Sequence, residues 1–176
     1  MLSAGPAPVK VPDLVGDSAG NARSVLDSLG LRMTVVSVPA PGVGPGTITR
    51  QAPAAGDYRP AGSSVALSAA EQPVWRPLTS LGGTGHASSV PFRIYGTQWR
   101  VVYSMSYVGT CTLIFICFGP SAQVVDLRGA TSSVGFDLGQ GDHETRTFRS
   151  GPGTYQIRVT PGSDNARWSI EIEDYY

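Results

Sequence analysis

Lysine and histidine are almost absent: the chain has only Lys10, and its only histidines are His86 and His143. Neither sign of charge is in excess, with thirteen basic and thirteen acidic residues in 176. The cancellation holds in both halves, because the charged residues are interleaved rather than clustered. A nucleic-acid partner requires grouped Lys and Arg to displace counterions, so that class is excluded. Long hydrophobic runs are also missing. The longest, Leu113 to Phe118, falls well short of the roughly 18 to 20 apolar residues of a bilayer-crossing helix, and no membrane span is expected in this chain. Met1 to Val9 has no cation ahead of its apolar residues and no hydrophobic core region, so it does not read as a signal peptide.

The scarcity of chemistry-bearing residues excludes more. Neither histidine lies at short ligand spacing to the other or to a cysteine, which argues against zinc. No Gly-x-Ser-x-Gly elbow is present, and Gly82 to Gly85 lacks the lysine of a phosphate-binding loop. Asp126, Asp137, Asp142 and Glu144 have nothing in the sequence to pair them as a glycosidase requires, and the alternating acids of a calcium loop are absent. His143, between Asp142 and Glu144, reads as a solvated turn, and Glu171, Glu173 and Asp174 as the wet face of the last strand. The expectation is a non-enzymatic protein with no catalytic residue, no metal and no cofactor.

Cys111 and Cys117 are the only thiols. They stand six residues apart in a stretch that reads as one strand, about 20 Å at roughly 3.3 Å per residue, whereas a disulfide needs Cα atoms within about 7 Å. Both are therefore expected to be reduced and buried.

What is present supports folding, since 41% of the residues are hydrophobic. Twelve of the thirteen cations are arginine, which with the abundant Ala, Gly and Pro is associated with a GC-rich genome such as an actinobacterium's. From Lys10 the chain begins with a short extended segment, because Pro12 biases Val11 toward extended geometry. Ser18 is suited to cap a helix, with Asn21 as a weaker form of the capping-box acid. Ala22, Val25, Leu26 and Leu29 then fall at i, i+3, i+4 and i+7, giving one apolar stripe. Gly30 suits the left-handed position that ends a helix. Leu31, Met33 and Val35 alternate with polar residues as an inward-facing strand row. After a Pro/Gly-rich turn from Pro39 to Gly46, Ile48 opens a short strand, QAPAAG forms a turn, and Ser64 to Ala69 closes with Val65 and Leu67 inward.

This order resembles the PASTA pattern over residues 8–70. The landmarks are Val11, Pro12, Leu14, Gly16, Ala22, Leu26, Gly30, Gly46, Gln51, Pro53, Gly56, Gly62, Val65 and Leu67. Ala19, Gly20 and Asn21 depart from the usual helix start. The resemblance implies an α+β module, one helix on a small sheet, in an extracytoplasmic, cell-wall-facing protein whose ligand class is peptidoglycan, muropeptides and β-lactams. PASTA modules usually come in tandem, whereas this chain shows one copy; a larger parent protein is one reading left open. Around the QAPAAG turn, Arg50, Gln51, Tyr58 and Arg59 form the candidate ligand-binding set: a guanidinium can meet a muropeptide carboxylate in bidentate fashion. The competing reading has Gln51 bonded to the turn backbone and the arginines solvated.

Residues 71–89 are rich in Pro, Gly, Ser and Thr and read as a linker, with Trp75 and Leu78 available to pack back onto a domain. From 90 to 176 the pattern is all strand, with expected strands at Phe92–Ile94, from Trp99, at Cys111–Phe118, Ala122–Leu127, Val134–Leu138, Thr145–Arg149, Thr154–Thr160 and Arg167–Glu173. Their spacing predicts an all-β antiparallel sandwich or jelly roll. The last two strands read as a closing hairpin, similar to that of small secreted bacterial β-sandwich domains. The leading functional expectation is an envelope-binding protein. The alternatives are a structural or adhesion component of a surface or phage assembly, with no small-molecule site, and a wall-modifying enzyme fragment.

Overall fold

The computed structural model describes residues 7–108, 119–128, 133–138, 141–160, 162 and 165–176. The expected strand holding Cys111 and Cys117 lies outside them. The chain divides into two compact units, Met1–Pro73 and Val74–Tyr176.

In the first unit, β1 (Val9–Lys10) leads to a single helix, α1 (Ala19–Ser28), followed by β2 (Arg32–Val38), β3 (Ile48–Ala52), β4 (Tyr58–Arg59) and β5 (Ser64–Ala70). Ser18 caps α1 as its residue type predicts, its hydroxyl accepting the Asn21 amide at 3.2 Å. Asn21 does not close the box; its side-chain nitrogen donates to Asp17 at 3.0 Å. Gly30, at φ +67°, ends the helix, with the Leu31 amide reaching back to the Leu26 carbonyl at 2.9 Å. Ala22 and Leu26 are buried among Val11, Leu14, Leu31, Ile48, Val65 and Leu67, and Val25 and Leu29 flank that core. β5 is the central strand of a three-stranded sheet, parallel to β2 and antiparallel to β3. Val35 does not join the core as its alternation predicts: β2 is a sheet edge and Val35 is 42% exposed. β1 and β4 form a separate antiparallel ribbon.

The second unit contains β6 (Trp75–Gly83), β7 (Ala87–Ser88), β8 (Phe92–Ile94), β9 (Gln98–Tyr107), β10 (Ser121–Asp126), β11 (Ser133–Asp137), β12 (Gly141–Phe148), β13 (Gly153–Thr160) and β14 (Ala166–Tyr175). The stretch 71–89 is not the linker its composition predicts. β6 pairs with β14 along its length and β7 pairs with β13, so this stretch belongs largely to the second unit's sheets. Leu78 and Leu81 pack against the core, and Trp75 packs against Tyr175 with ring centroids 4.9 Å apart. One sheet runs β12-β9-β14-β6; the other runs β11-β10-β13, with β7 and β8 sharing the outer edge of β13. Among the described residues all pairings in this unit are antiparallel, and the two sheets enclose one apolar core, the sandwich the strand spacing predicts.

The expected closing hairpin is not one. β13 pairs with β10 while β14 pairs with β9 and β6, so the chain changes sheets between them. Tyr155, Ile157 and Val159 still share a core with Trp168, Ile170 and Ile172, because both rows face the interior from different sheets. Trp99 lies in this core, stacked on Phe148 at 4.4 Å and donating to the Ser150 hydroxyl at 3.3 Å. The turn expected at His143 is instead an irregularity within β12, where His143 takes φ +59°.

Asp174 does not share the wet face of β14. It is fully buried, and its carboxylate accepts the amides of Tyr95 at 2.6 Å, Gly96 at 3.1 Å and Tyr175 at 2.9 Å. Strand alternation puts Glu171 and Glu173 on the opposite side, where Glu173 pairs with Arg100.

Candidate functional site

The QAPAAG turn is held mainly by backbone groups and by Gln51. Val11 donates its amide to the Asp57 carbonyl at 2.7 Å and accepts the Gly56 amide at 2.8 Å, which fastens the turn to the segment preceding α1. Gln51 completes the attachment: its Oε1 accepts the Leu14 amide at 2.7 Å, and its Nε2 donates to the carbonyls of Pro12 at 2.9 Å and Pro53 at 3.3 Å. Both Nε2 hydrogens are thereby committed to protein partners. Gln51 therefore positions the turn, and the residues that present chemistry to solvent are its neighbours.

Arg50 is exposed on β3, in register with Ser68 on the sheet face opposite the buried Val65 and Leu67. Tyr58 and Arg59 make up β4. Tyr58 is 65% exposed, so its ring is available as a stacking surface. Arg59 bonds the carboxylate of Asp57 at 3.4 Å, and both side chains are about half exposed. An open ion pair of this kind contributes little stability and can be exchanged for another carboxylate.

Successive side chains on a strand point to opposite sides, so Tyr58 and Arg59 do not share a face of the ribbon. The residue directly across from Tyr58 is Lys10, and Val9 stands across from Arg59. Sequence reading missed Lys10 as a neighbour of Tyr58 because the two are joined only by long-range pairing. The available signal was the single lysine just ahead of the Val-Pro landmark.

In the second unit, a cavity of about 810 Å³ lies along the four-stranded sheet, with Ser104, Ser169, Arg167 and Trp168 among its lining. Ser104 and Ser169, cross-strand neighbours in this lining, bond each other at 2.7 Å. Among the described residues, no three of His, Cys, Asp and Glu gather where they could hold a metal, and no helix is long and apolar enough to cross a membrane.

Comparison with known proteins adds a family to this geometry. Residues 9–70 match the family model described as PASTA domain. No curated protein matches the chain. Among solved structures, the chain is similar to the entire extracellular region of the Ser/Thr kinase PrkC from Staphylococcus aureus, at 14% identity and a TM-score of 0.36. That match covers 93% of this chain and 52% of the other, so the chain spans about half the length of that region.

Proposed function

We propose that this chain, whose residues 9–70 are a PASTA domain, is a non-enzymatic extracytoplasmic protein that uses this domain to contact peptidoglycan, with the β-sandwich as an accessory unit. The observation that carries the reading is the match of residues 9–70, since PASTA domains are extracellular, non-catalytic modules that bind peptidoglycan-related ligands. The ligand surface is the rim of the QAPAAG turn. Tyr58 stacks on a sugar or peptide plane, Arg50 and Arg59 meet muropeptide carboxylates, and Lys10 supplies a cation on the Tyr58 side. Gln51 holds the turn from beneath.

Retention of the full chain on purified peptidoglycan sacculi tests the proposal. Charge-assisted hydrogen bonds contribute roughly 1.5 to 3 kcal/mol each, and about 1.4 kcal/mol is a factor of ten in affinity. Replacing Arg50 and Arg59 together by Ala should therefore weaken binding at least tenfold. Arg→Lys at both positions should recover little, because an ammonium lacks the bidentate fork. Unchanged binding by the double variant would remove the site, and a wild-type chain that is not retained would remove the function.

A further inference from the structure

The hydrogen bonds at the two ends of β2 reveal which of its backbone groups are used. The Arg32 amide donates to the Ser63 carbonyl at 2.8 Å, and the Glu71 amide donates to the Val38 carbonyl at 3.0 Å. In a parallel ladder with Arg32 opposite Ser64 and Val38 opposite Ala70, this means that Arg32, Thr34, Val36 and Val38 direct both backbone groups at β5. Met33, Val35 and Ser37 therefore direct theirs the other way. Among the described residues nothing pairs on that side, because β2 ends the sheet order.

This edge lacks the usual protection. Natural sheet edges are blunted by charge, proline, bulges or shortness. β3 has an irregularity between Ile48 and Arg50, and β12 has one between Gly141 and Glu144. β6 carries Pro77 and lies opposite a register shift, and β7 and β8 are only two and three residues long. β2 runs uncharged and unbroken from Met33 to Val38, with Val35 42% and Val36 60% exposed.

We propose that β2 pairs with β2 of a second copy of this chain, antiparallel and centred on Val35, joining two three-stranded sheets into one. The occupant follows from self-complementarity. A two-fold axis at Val35 sets Val35 opposite its twin and Met33 opposite the other copy's Ser37, so every outward-directed amide and carbonyl of these residues gains a partner. Thr34 then faces the twin of Val36, and Arg32 the twin of Val38, so no like charges oppose each other. The chain's formal net charge of zero adds no long-range repulsion.

Sedimentation of the full chain over a range of concentrations, in reducing buffer so that cysteines cannot link copies, should show a monomer–dimer equilibrium. Hydrogen exchange should slow at the amides of Met33, Val35 and Ser37 as concentration rises, while those of Thr34, Val36 and Val38 stay protected throughout. Val35→Pro removes an amide that the monomer does not use and should weaken the dimer at least tenfold with the fold retained. Should that variant unfold, Val36→Lys provides the second test. It removes apolar surface from the seam and places a cation diagonal to the twin of Arg32, with the same loss expected. A chain that stays monomeric to millimolar concentration overturns the proposal. So does a dimer indifferent to the folded variants, or one whose formation leaves exchange at Met33, Val35 and Ser37 unchanged.

Discussion

Asp174 shows how a buried charge can be accommodated by backbone alone. Three amides, those of Tyr95, Gly96 and Tyr175, converge on a carboxylate with 0% exposure, and such donors offset the cost of removing the charge from water. The approach is so close that a Cβ at Gly96 would stand 2.0 Å from the Tyr175 carbonyl oxygen, which requires glycine there. Asp174→Ala strands these amides, and at about 1 to 3 kcal/mol for each buried unsatisfied group the loss should reach about 3 kcal/mol or more in chemical denaturation. Asp174→Asn keeps one acceptor and should fall between. A loss under about 1 kcal/mol for the Ala variant would mean that water replaces the carboxylate.

Asp126 differs because it is half-buried and its charge is met by a more exposed arginine. Arg128 donates to it from the side chain at 2.6 and 3.0 Å and from the backbone at 3.0 Å, which lowers the Asp126 pKa and raises that of Arg128. Arg128 also reaches the Tyr155 hydroxyl and the Pro152 carbonyl, so it ties the end of β10 to the start of β13. With a folded pKa below the unfolded one, the pair contributes stability above the ordinary carboxylate pKa and loses it as pH falls through the depressed value. An NMR titration should place the Asp126 midpoint below the usual carboxylate value, and Arg128→Ala should return it there. A midpoint that Arg128→Ala leaves unmoved would refute the assignment.

At the scale of elements, β6 is the strand whose sequence reads as a linker. Its outward positions, Ser80 and Gly82, are small or polar, and the register shift opposite Ile172 and Glu173 puts the core-packed Leu78 and Leu81 three residues apart instead of two. A bulge breaks the period-two signal while the pairing continues beyond it. The consequence is testable with fragments. Residues 74–176 should give a cooperative thermal transition by circular dichroism. Residues 90–176 lack β6 and β7, leave β14 as an exposed sheet edge paired only with β9, and should melt without cooperativity or aggregate. Equal melting of the two fragments would make β6 dispensable.

Among the described residues of the whole molecule, two apolar clusters hold most of the buried apolar side chains, one in each unit. Each unit is proposed to fold by itself. The PASTA unit is small enough for its stability to be modest, since short chains bury a smaller fraction of their surface. Calorimetry of the full chain should therefore resolve into the transitions of Met1–Pro73 and Val74–Tyr176 measured alone. A shift of more than a few degrees in either on separation would show that the units stabilise one another.

Sequence alone determined the local features of this protein. Ser18 and Gly30 bound α1, the stripe through Ala22 and Leu26 faces the core, and the Gln-x-Pro-x-x-Gly turn carries the PASTA resemblance. Each depends on residues a few positions apart, whose spacing and backbone preference can be read along the chain. Tertiary structure decided the partners: β13 and β14 went to different sheets, Lys10 came opposite Tyr58, Gln51 was committed to three backbone groups, and Val35 was left on an edge. Alternation shows that a strand has an apolar face but not which strand lies beside it. That choice is made by the summed packing of residues distant in sequence.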